Sequence, residues 1–350
     1  METKEFLRRL SEGVGVSGYE HGLHDLIREA LAPYAGEFST DALGNCVAVR
    51  RGCGEEPRVS VMLAAHQDEI GLMVTKIDER GFLRVAQVGG FDPRVLVAQE
   101  VVVHGRRSLP GIIGMKPPHI LTDEERKKAP KLEDLFIDIG LPAGEARETV
   151  QVGDVVTLNR AFTELHGGLV AGKSLDDRAG VAALLECLRR LQSLRHAADI
   201  YAVATTQEEV GLRGATTSAY GLHPDLAVAI DVCHAGPGLD EPGASELGKG
   251  PAVAVGANIH PKLRDLLLAV AADCGIPIQH EVSPGATGTD AWAINIARAG
   301  IPTALLSIPL RYMHTSVETA AMSDVVQTGR LLAEFCGRVD RALVEGLRWN

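Results

Sequence analysis

Four apolar runs in this chain stop abruptly at histidine or carboxylate, and the pattern around them predicts the fold. Residues 58–65 are nearly unbroken apolar and lead into His66-Gln67-Asp68-Glu69. Such a run suits a strand buried on both faces of a parallel sheet. Residues 200–206 end in the same way at Glu208-Glu209, residues 226–230 end at Asp231, and residues 303–308 lead to Arg311-Tyr312-Met313-His314. Helical patterns cover 4–12, 20–34, 178–194, 262–273 and 322 to about 347. Ser17 and Glu20 have capping-box spacing at the second of these, whose apolar stripe is Leu23, Leu26, Ile27 and Leu31. Residues 45–50 add a further strand.

The pattern changes between about 72 and 165. Short strand-like pieces at 83–88, 101–104, 111–114 and 155–158 alternate with turns and one charged stretch, 122–128. This β-rich unit falls between two segments that both carry functional candidates, so it is expected to be an insertion. Residues 1–71 and 166–350 would then form one α/β catalytic domain, with 72–165 inserted into it.

Composition agrees with that organisation. The chain has 350 residues, 45% hydrophobic and only 4% aromatic, a mix that packs helices on a sheet with small and β-branched side chains. A net charge of −11 without basic clusters argues against nucleic acid or an anionic membrane as partner. No apolar run approaches the roughly 20 residues that a membrane-spanning helix needs. The N-terminus is charged and shows no apolar leader, so a cytoplasmic protein is expected. The six cysteines show no CxxC pair and read as reduced thiols.

The chemistry lies in the polar residues at the strand ends. A further acidic pair, Asp176-Asp177, opens a helix within Gly172-Lys173-Ser174-Leu175-Asp176-Asp177-Arg178. Taken singly, each feature has an ordinary explanation: HxD is common, paired acids are usually solvated, Asp176-Asp177 suits a helix cap, and His314 a core histidine. Together, at the ends of strands of one sheet, they converge. Mixed imidazole and carboxylate donors without thiolate suit Zn2+, Co2+ or Mn2+ in a hydrolytic site. Two metals need one bridging carboxylate and further ligands on each. His66, Asp231, Glu209 and His314 around a shared Asp176 supply that count. Asp68 is placed to accept the second imidazole N–H of His66, which leaves Glu208 as general base. His119, His234 and His260 remain open, and the other seven histidines read as surface or core. A Gly-x-Ser-x-Gly elbow is missing, and Gly285-Ala286-Thr287-Gly288-Thr289-Asp290 has neither the lysine nor the preceding strand of a phosphate loop.

Six segments together resemble one family: 65–71 (Ala-His-Gln-Asp-Glu-Ile-Gly), 175–178 (Leu-Asp-Asp-Arg), 207–211 (Gln-Glu-Glu-Val-Gly), Asp231-Val232, 288–291 (Gly-Thr-Asp-Ala) and 311–314 (Arg-Tyr-Met-His). They are similar to those of the M42 metallo-aminopeptidases, which include the TET peptidases and glutamyl aminopeptidases, and the likeness spans nearly the whole chain. It implies a mixed-sheet α/β zinc-peptidase domain with an inserted small β-barrel, PDZ-like dimerisation domain. It implies two divalent ions per subunit, Zn2+ or Co2+, with Asp176 bridging, His66 and Asp231 on one, and Glu209 and His314 on the other. Glu208 would be the base and Asp68 the residue orienting His66. Peptides with a free N-terminus would be the substrates, and dimers would assemble to a dodecamer. The alternatives are another two-metal hydrolase, such as a deacylase or carboxypeptidase, a non-catalytic metal-binding scaffold, and an endoglucanase, as some members are labelled. The last conflicts with the imidazoles in the cluster. Ser174 and Cys233 stand where Ala and Thr are commoner, and a thiol at 233 is a point of potential oxidation.

Overall fold

The computed structural model describes residues 1–236 and 244–349. Its strands, in chain order, are β1 (Glu37–Thr40), β2 (Cys46–Arg50), β3 (Ser60–His66), β4 (Gly71–Ile77), β5 (Leu83–Val88), β6 (Glu100–His104), β7 (Ser108–Gly114), β8 (Phe136–Asp138) and β9 (Val155–Leu158). They continue with β10 (Thr163–Glu164), β11 (Leu169–Gly172), β12 (Asp199–Thr205), β13 (Leu226–His234), β14 (Ala252–Gly256), β15 (Gln279–Ser283), β16 (Thr303–Arg311) and β17 (Glu318–Ala321).

One mixed sheet of eleven strands runs β1-β2-β12-β3-β13-β16-β17-β11-β10, with β14 joining β16 to β15. Its centre, β12-β3-β13-β16, is parallel. Those are the four apolar runs, and they are buried almost throughout. Parallel pairing brings their carboxyl ends to one edge of the sheet, so the polar residues that follow them face one another. Strands β4 to β9 close a separate six-stranded barrel, ordered β4-β5-β8-β7-β6-β9, around Leu72, Val74, Val101, Val103, Ile113, Ile137 and Val156. This is the α/β architecture with an inserted small barrel that the sequence suggests. Among the described residues, no helix is long and apolar enough to cross a membrane.

The helix Leu175–Leu191 lies in the core between the sheet and the helix Met322–Cys336, which is why its middle, 179–188, is apolar apart from Glu186. Three sequence expectations need correction. The helix foreseen over 322–347 is two, Met322–Cys336 and Arg341–Gly346. The first helix ends at Cys336 with Gly337 as its cap, and the Asp340 carboxylate then caps a new helix by accepting the Leu343 N–H at 2.9 Å. The segment 20–34 is α-helical only over His24–Leu31, flanked by 3-10 turns. The strand foreseen at 226–230 runs on to His234, so Asp231 sits within β13 rather than beyond it.

Candidate metal centre

Apart from Asp231, which lies within β13, each candidate side chain is held where a buried strand gives way to an irregular turn. His66 is the last residue of β3, and its ring is buried. Its Nε2 lies 3.1 Å from Asp176 Oδ1, while Nδ1 faces the Asp68 backbone carbonyl at 3.3 Å and the Asp68 carboxylate at 3.5 Å. On the other side, His314 Nε2 lies 3.4 Å from Asp176 Oδ2 and 3.4 Å from Glu209 Oε1. The two oxygens of Asp176 therefore face two different imidazoles. Donor atoms of His66, Asp176 and Asp231 lie within 4.8 Å of one another, and so do those of Asp176, Glu209 and His314. All five candidate ligands meet, and Asp176 belongs to both groups.

The backbone at these turns takes conformations that ordinary residues avoid. Ser174, Gln207, Tyr312 and His314 all have positive φ, between 55° and 60°. Each such residue costs on the order of 1–3 kcal/mol, and strain of this kind gathers where side chains must be aimed. The Asp176–Asp177 peptide is cis.

Asp68 does more than face His66. Its carboxylate accepts the Ser17 hydroxyl at 2.6 Å and the backbone N–H groups of Glu208 and Glu209 at 3.0 and 3.2 Å. It thus fixes the turn that carries both glutamates. Glu208 reaches to 3.9 Å from His66 Nε2 without belonging to either donor group, and it lines the cleft.

Other buried groups support the site; of these Glu318 has no local signal in the sequence, whereas Glu69, Asp177 and Asp290 lie in the segments 65–71, 175–178 and 288–291 that carry the family resemblance. Glu318 is buried and accepts the backbone N–H of Asp176 at 3.1 Å and that of His314 at 2.9 Å, tying two ligand turns together. Asp177 accepts the His66 N–H at 3.3 Å, and Asp290 accepts the Thr205 hydroxyl at 2.5 Å. Beneath the site, buried Glu69 faces Lys173 at 2.6 Å and Arg178 at 3.2 Å. Arg178 in turn donates to the carbonyls of Gln67, Leu10 and Gly13. Gly89 and Gly90 bring the loop after β5 onto the site. A Cβ on Gly90 would stand 3.3 Å from the His314 ring, and one on Gly89, at φ +79°, would stand 2.6 Å from Ile70.

The charge balance asks for cations. Asp68, Asp176, Asp177, Glu208, Glu209, Asp231, Asp290 and Glu318 crowd around two imidazoles. Burial and neighbouring acids push Glu208 up to about 10 and Glu318 up to about 8, and they raise Asp177, Asp231 and Glu209 as well. Hydrogen bonds to Asp176 and Glu209 raise His314 to about 11. Protein groups alone neutralise this cluster only by taking up protons, whereas divalent cations would do so with the carboxylates ionised. The donor set, two imidazoles and three carboxylates in two overlapping triads, fits a pair of such ions.

Of the residues left open, His234 lines the cleft, whereas His260 packs against the Leu347 carbonyl at 3.0 Å and His119 is exposed in the barrel unit. Cys233 also lines the cleft, and burial with nearby Glu281 pushes its thiol up to about 12. It is a thiol, not a thiolate, at neutral pH, which disfavours oxidation. A larger cavity, about 770 Å3 against about 250 Å3 for this cleft, opens beside Asn258, His260 and Trp349. Among the described residues it contains neither donor triad, so size does not mark the reactive site.

A sheet whose parallel strands deliver two imidazoles and a surplus of carboxylates to one cleft defines a metallohydrolase of α/β type. The chain belongs to the M42 aminopeptidase family, whose model, described as M42 glutamyl aminopeptidase, matches residues 44–331. It is 41% identical over 336 residues to a lysyl aminopeptidase of Pyrococcus furiosus, covering 93% of this chain and 94% of that one. The crystal structure of a TET aminopeptidase from a marine-sediment Thaumarchaeota archaeon superposes with a TM-score of 0.94 at 36% identity, covering 99% of both chains. A TET1 peptidase of Pyrococcus horikoshii, which can assemble into a tetrahedron or a large octahedral shell, matches with a TM-score of 0.84 at 32% identity. That match covers 97% of this chain and 100% of the other.

Proposed function

We propose that this chain is a metal-dependent aminopeptidase that binds two divalent ions, Zn2+ or Co2+, in the donor triads His66-Asp176-Asp231 and Asp176-Glu209-His314. The observation that carries this reading is Asp176, whose two carboxylate oxygens each face a different imidazole in a buried site. When bound, the ion pair supplies Lewis acidity for peptide hydrolysis, lowering the pKa of water and polarising the scissile carbonyl.

The chain's own groups do the rest. Glu208 accepts the proton of the attacking water and returns it to the departing amine. Asp68 holds Glu208 in place through its backbone N–H and keeps the His66 ring oriented. The substrate's free α-ammonium enters a cleft rich in carboxylates, which favours a peptide N-terminus over an acylated one. A cleft of about 250 Å3 suits a terminal residue rather than a folded chain. The barrel, residues 72–165, is read as a dimerisation unit, and the relative that can assemble into a tetrahedron or a large octahedral shell supports a larger assembly for this chain.

The test is a panel of aminoacyl-p-nitroanilides, with chelator and with Zn2+ or Co2+ returned. Cleavage lost on chelation and restored by metal supports the reading. Cleavage of N-acylated peptides only, or chelator-resistant cleavage of a glucan, overturns it in favour of a deacylase or a glycosidase. Metal binding without turnover of any substrate would leave a scaffold.

A further inference from the structure

One wall of the cleft is not used by the seven residues above. From Asp231, β13 continues through Val232 and Cys233 to His234, and all three line the cleft together with Thr287, Met313 and Glu281. At ~3.3 Å per residue this wall leads about 7 Å from Asp231 to Cys233, close to the reach of a four-carbon side chain and its terminal group. Glu281 stands on β15 beside that wall.

Glu281 is half-buried and held by one oxygen only, since the Ser307 hydroxyl donates to its Oε2 at 2.5 Å. Among the described residues its other oxygen has no hydrogen-bond donor, and no Lys or Arg pairs with it. The nearby titratable groups are His234 and the Cys233 thiol. A partly desolvated carboxylate without a cation is costly, and this one faces the space that a substrate enters. Met313 and the Cys233 sulfur offer soft apolar contact along the way, as an alkyl stem requires.

We propose that Glu281 selects peptides with a basic N-terminal residue, lysine or arginine, by pairing with the side-chain cation at the end of a pocket walled by Val232, Cys233, Thr287 and Met313. The inference rests on the aminopeptidase reading above and adds its substrate class. A leucine in this pocket leaves Glu281 desolvated and unpaired, and a glutamate is repelled by it. The rival role for Glu281, holding the substrate α-ammonium, makes the opposite prediction, because every substrate carries that group.

The experiment measures kcat and KM on the p-nitroanilides of Lys, Arg, Leu and Glu, using metal-loaded wild type, Glu281→Gln and Glu281→Lys, with metal content confirming that each variant keeps its site. Wild type is expected to favour Lys and Arg. Glu281→Gln is expected to lower the Lys-to-Leu ratio of kcat/KM at least 10-fold, chiefly through KM, and Glu281→Lys to shift preference toward Glu. A wild-type preference for Leu or Glu overturns the proposal while leaving aminopeptidase activity standing. An equal loss on all four substrates in Glu281→Gln also overturns it, in favour of the α-ammonium role. Failure of wild type on every substrate overturns the aminopeptidase reading and this inference with it.

Discussion

Replacing Glu69 by glutamine should destabilise the protein, because this carboxylate is the shared partner of two buried cations behind the site. Glu69 is fully buried and receives Lys173, Arg178, the Ser174 hydroxyl and the Gly15 N–H. Burial pushes its carboxyl up, but the charges of Arg178 and Lys173 outweigh that and hold it near 2, against 4.5 for a free glutamate. At 1.36 kcal/mol per unit, that separation corresponds to roughly 3 kcal/mol of folding free energy at neutral pH. The glutamine also leaves two buried cations facing a neutral group, a situation that costs about 3–5 kcal/mol. Lys173 behaves differently. Burial lowers it, and the attraction of Glu69, offset by the repulsion of Arg178, leaves it at about 8. One carboxylate serves two cations, and burial leaves the charged form of the lysine less favoured than in water. Lys173→Met should therefore be close to neutral, because Arg178 still donates to the Gly13 carbonyl that Lys173 also serves. The assay is urea unfolding of metal-free protein at fixed concentration. Expected is a loss of about 3 kcal/mol for Glu69→Gln, with partial recovery in the double variant. The folded value of Glu69 lies below its unfolded one, so its contribution is full above pH 4.5 and fades as pH falls toward 2. The gap between wild type and Glu69→Gln should close over that window. A loss below about 1 kcal/mol, or a Lys173→Met penalty as large as that of Glu69→Gln, would refute the reasoning.

Other changes separate the roles within the cleft. Glu208→Gln should lower kcat by about 10^2–10^4 while metal content by mass spectrometry stays near wild type, and loss of metal instead would mean that base and ligand are interchanged. Glu318→Ala removes the acceptor for the Asp176 and His314 N–H groups and should weaken metal affinity about 10–100-fold, read by competition with a chelating dye. Chelator should lower the melting temperature of wild type and added Zn2+ should restore it, with no such response in Asp176→Asn.

The sequence was informative where the physics is local. The runs ending at His66, Glu208-Glu209 and His314 become parallel strands β3, β12 and β16, because a strand buried on both faces must be apolar throughout. Polar residues at their ends then stand out, and sheet geometry brings them together. What escaped the sequence depends on tertiary partners. Glu318 lies in Val-Glu-Thr-Ala-Ala, with nothing local to separate it from a surface glutamate, and it acquires its role only when β17 places it beneath Asp176 and His314. Glu69, Lys173 and Arg178 come from two segments more than a hundred residues apart. Strand β4 follows the ligand turn at once, with no turn signal to set it apart, yet it opens the barrel, and its partner β5 leads Gly89-Gly90 back over the site. Asp231 follows an apolar run that reads as a finished strand, although β13 continues along the cleft wall to His234.

The proposed metal centre depends on one carboxylate, Asp176, serving two cations. The most direct measurement is metal per chain after exhaustive dialysis, alongside activity during stepwise return of Zn2+ or Co2+ to stripped protein. Two equivalents per chain in wild type are expected, with near-complete loss in Asp176→Asn and loss of one in His314→Ala. Full activity at a single equivalent, or two tightly held ions in Asp176→Asn, would contradict it.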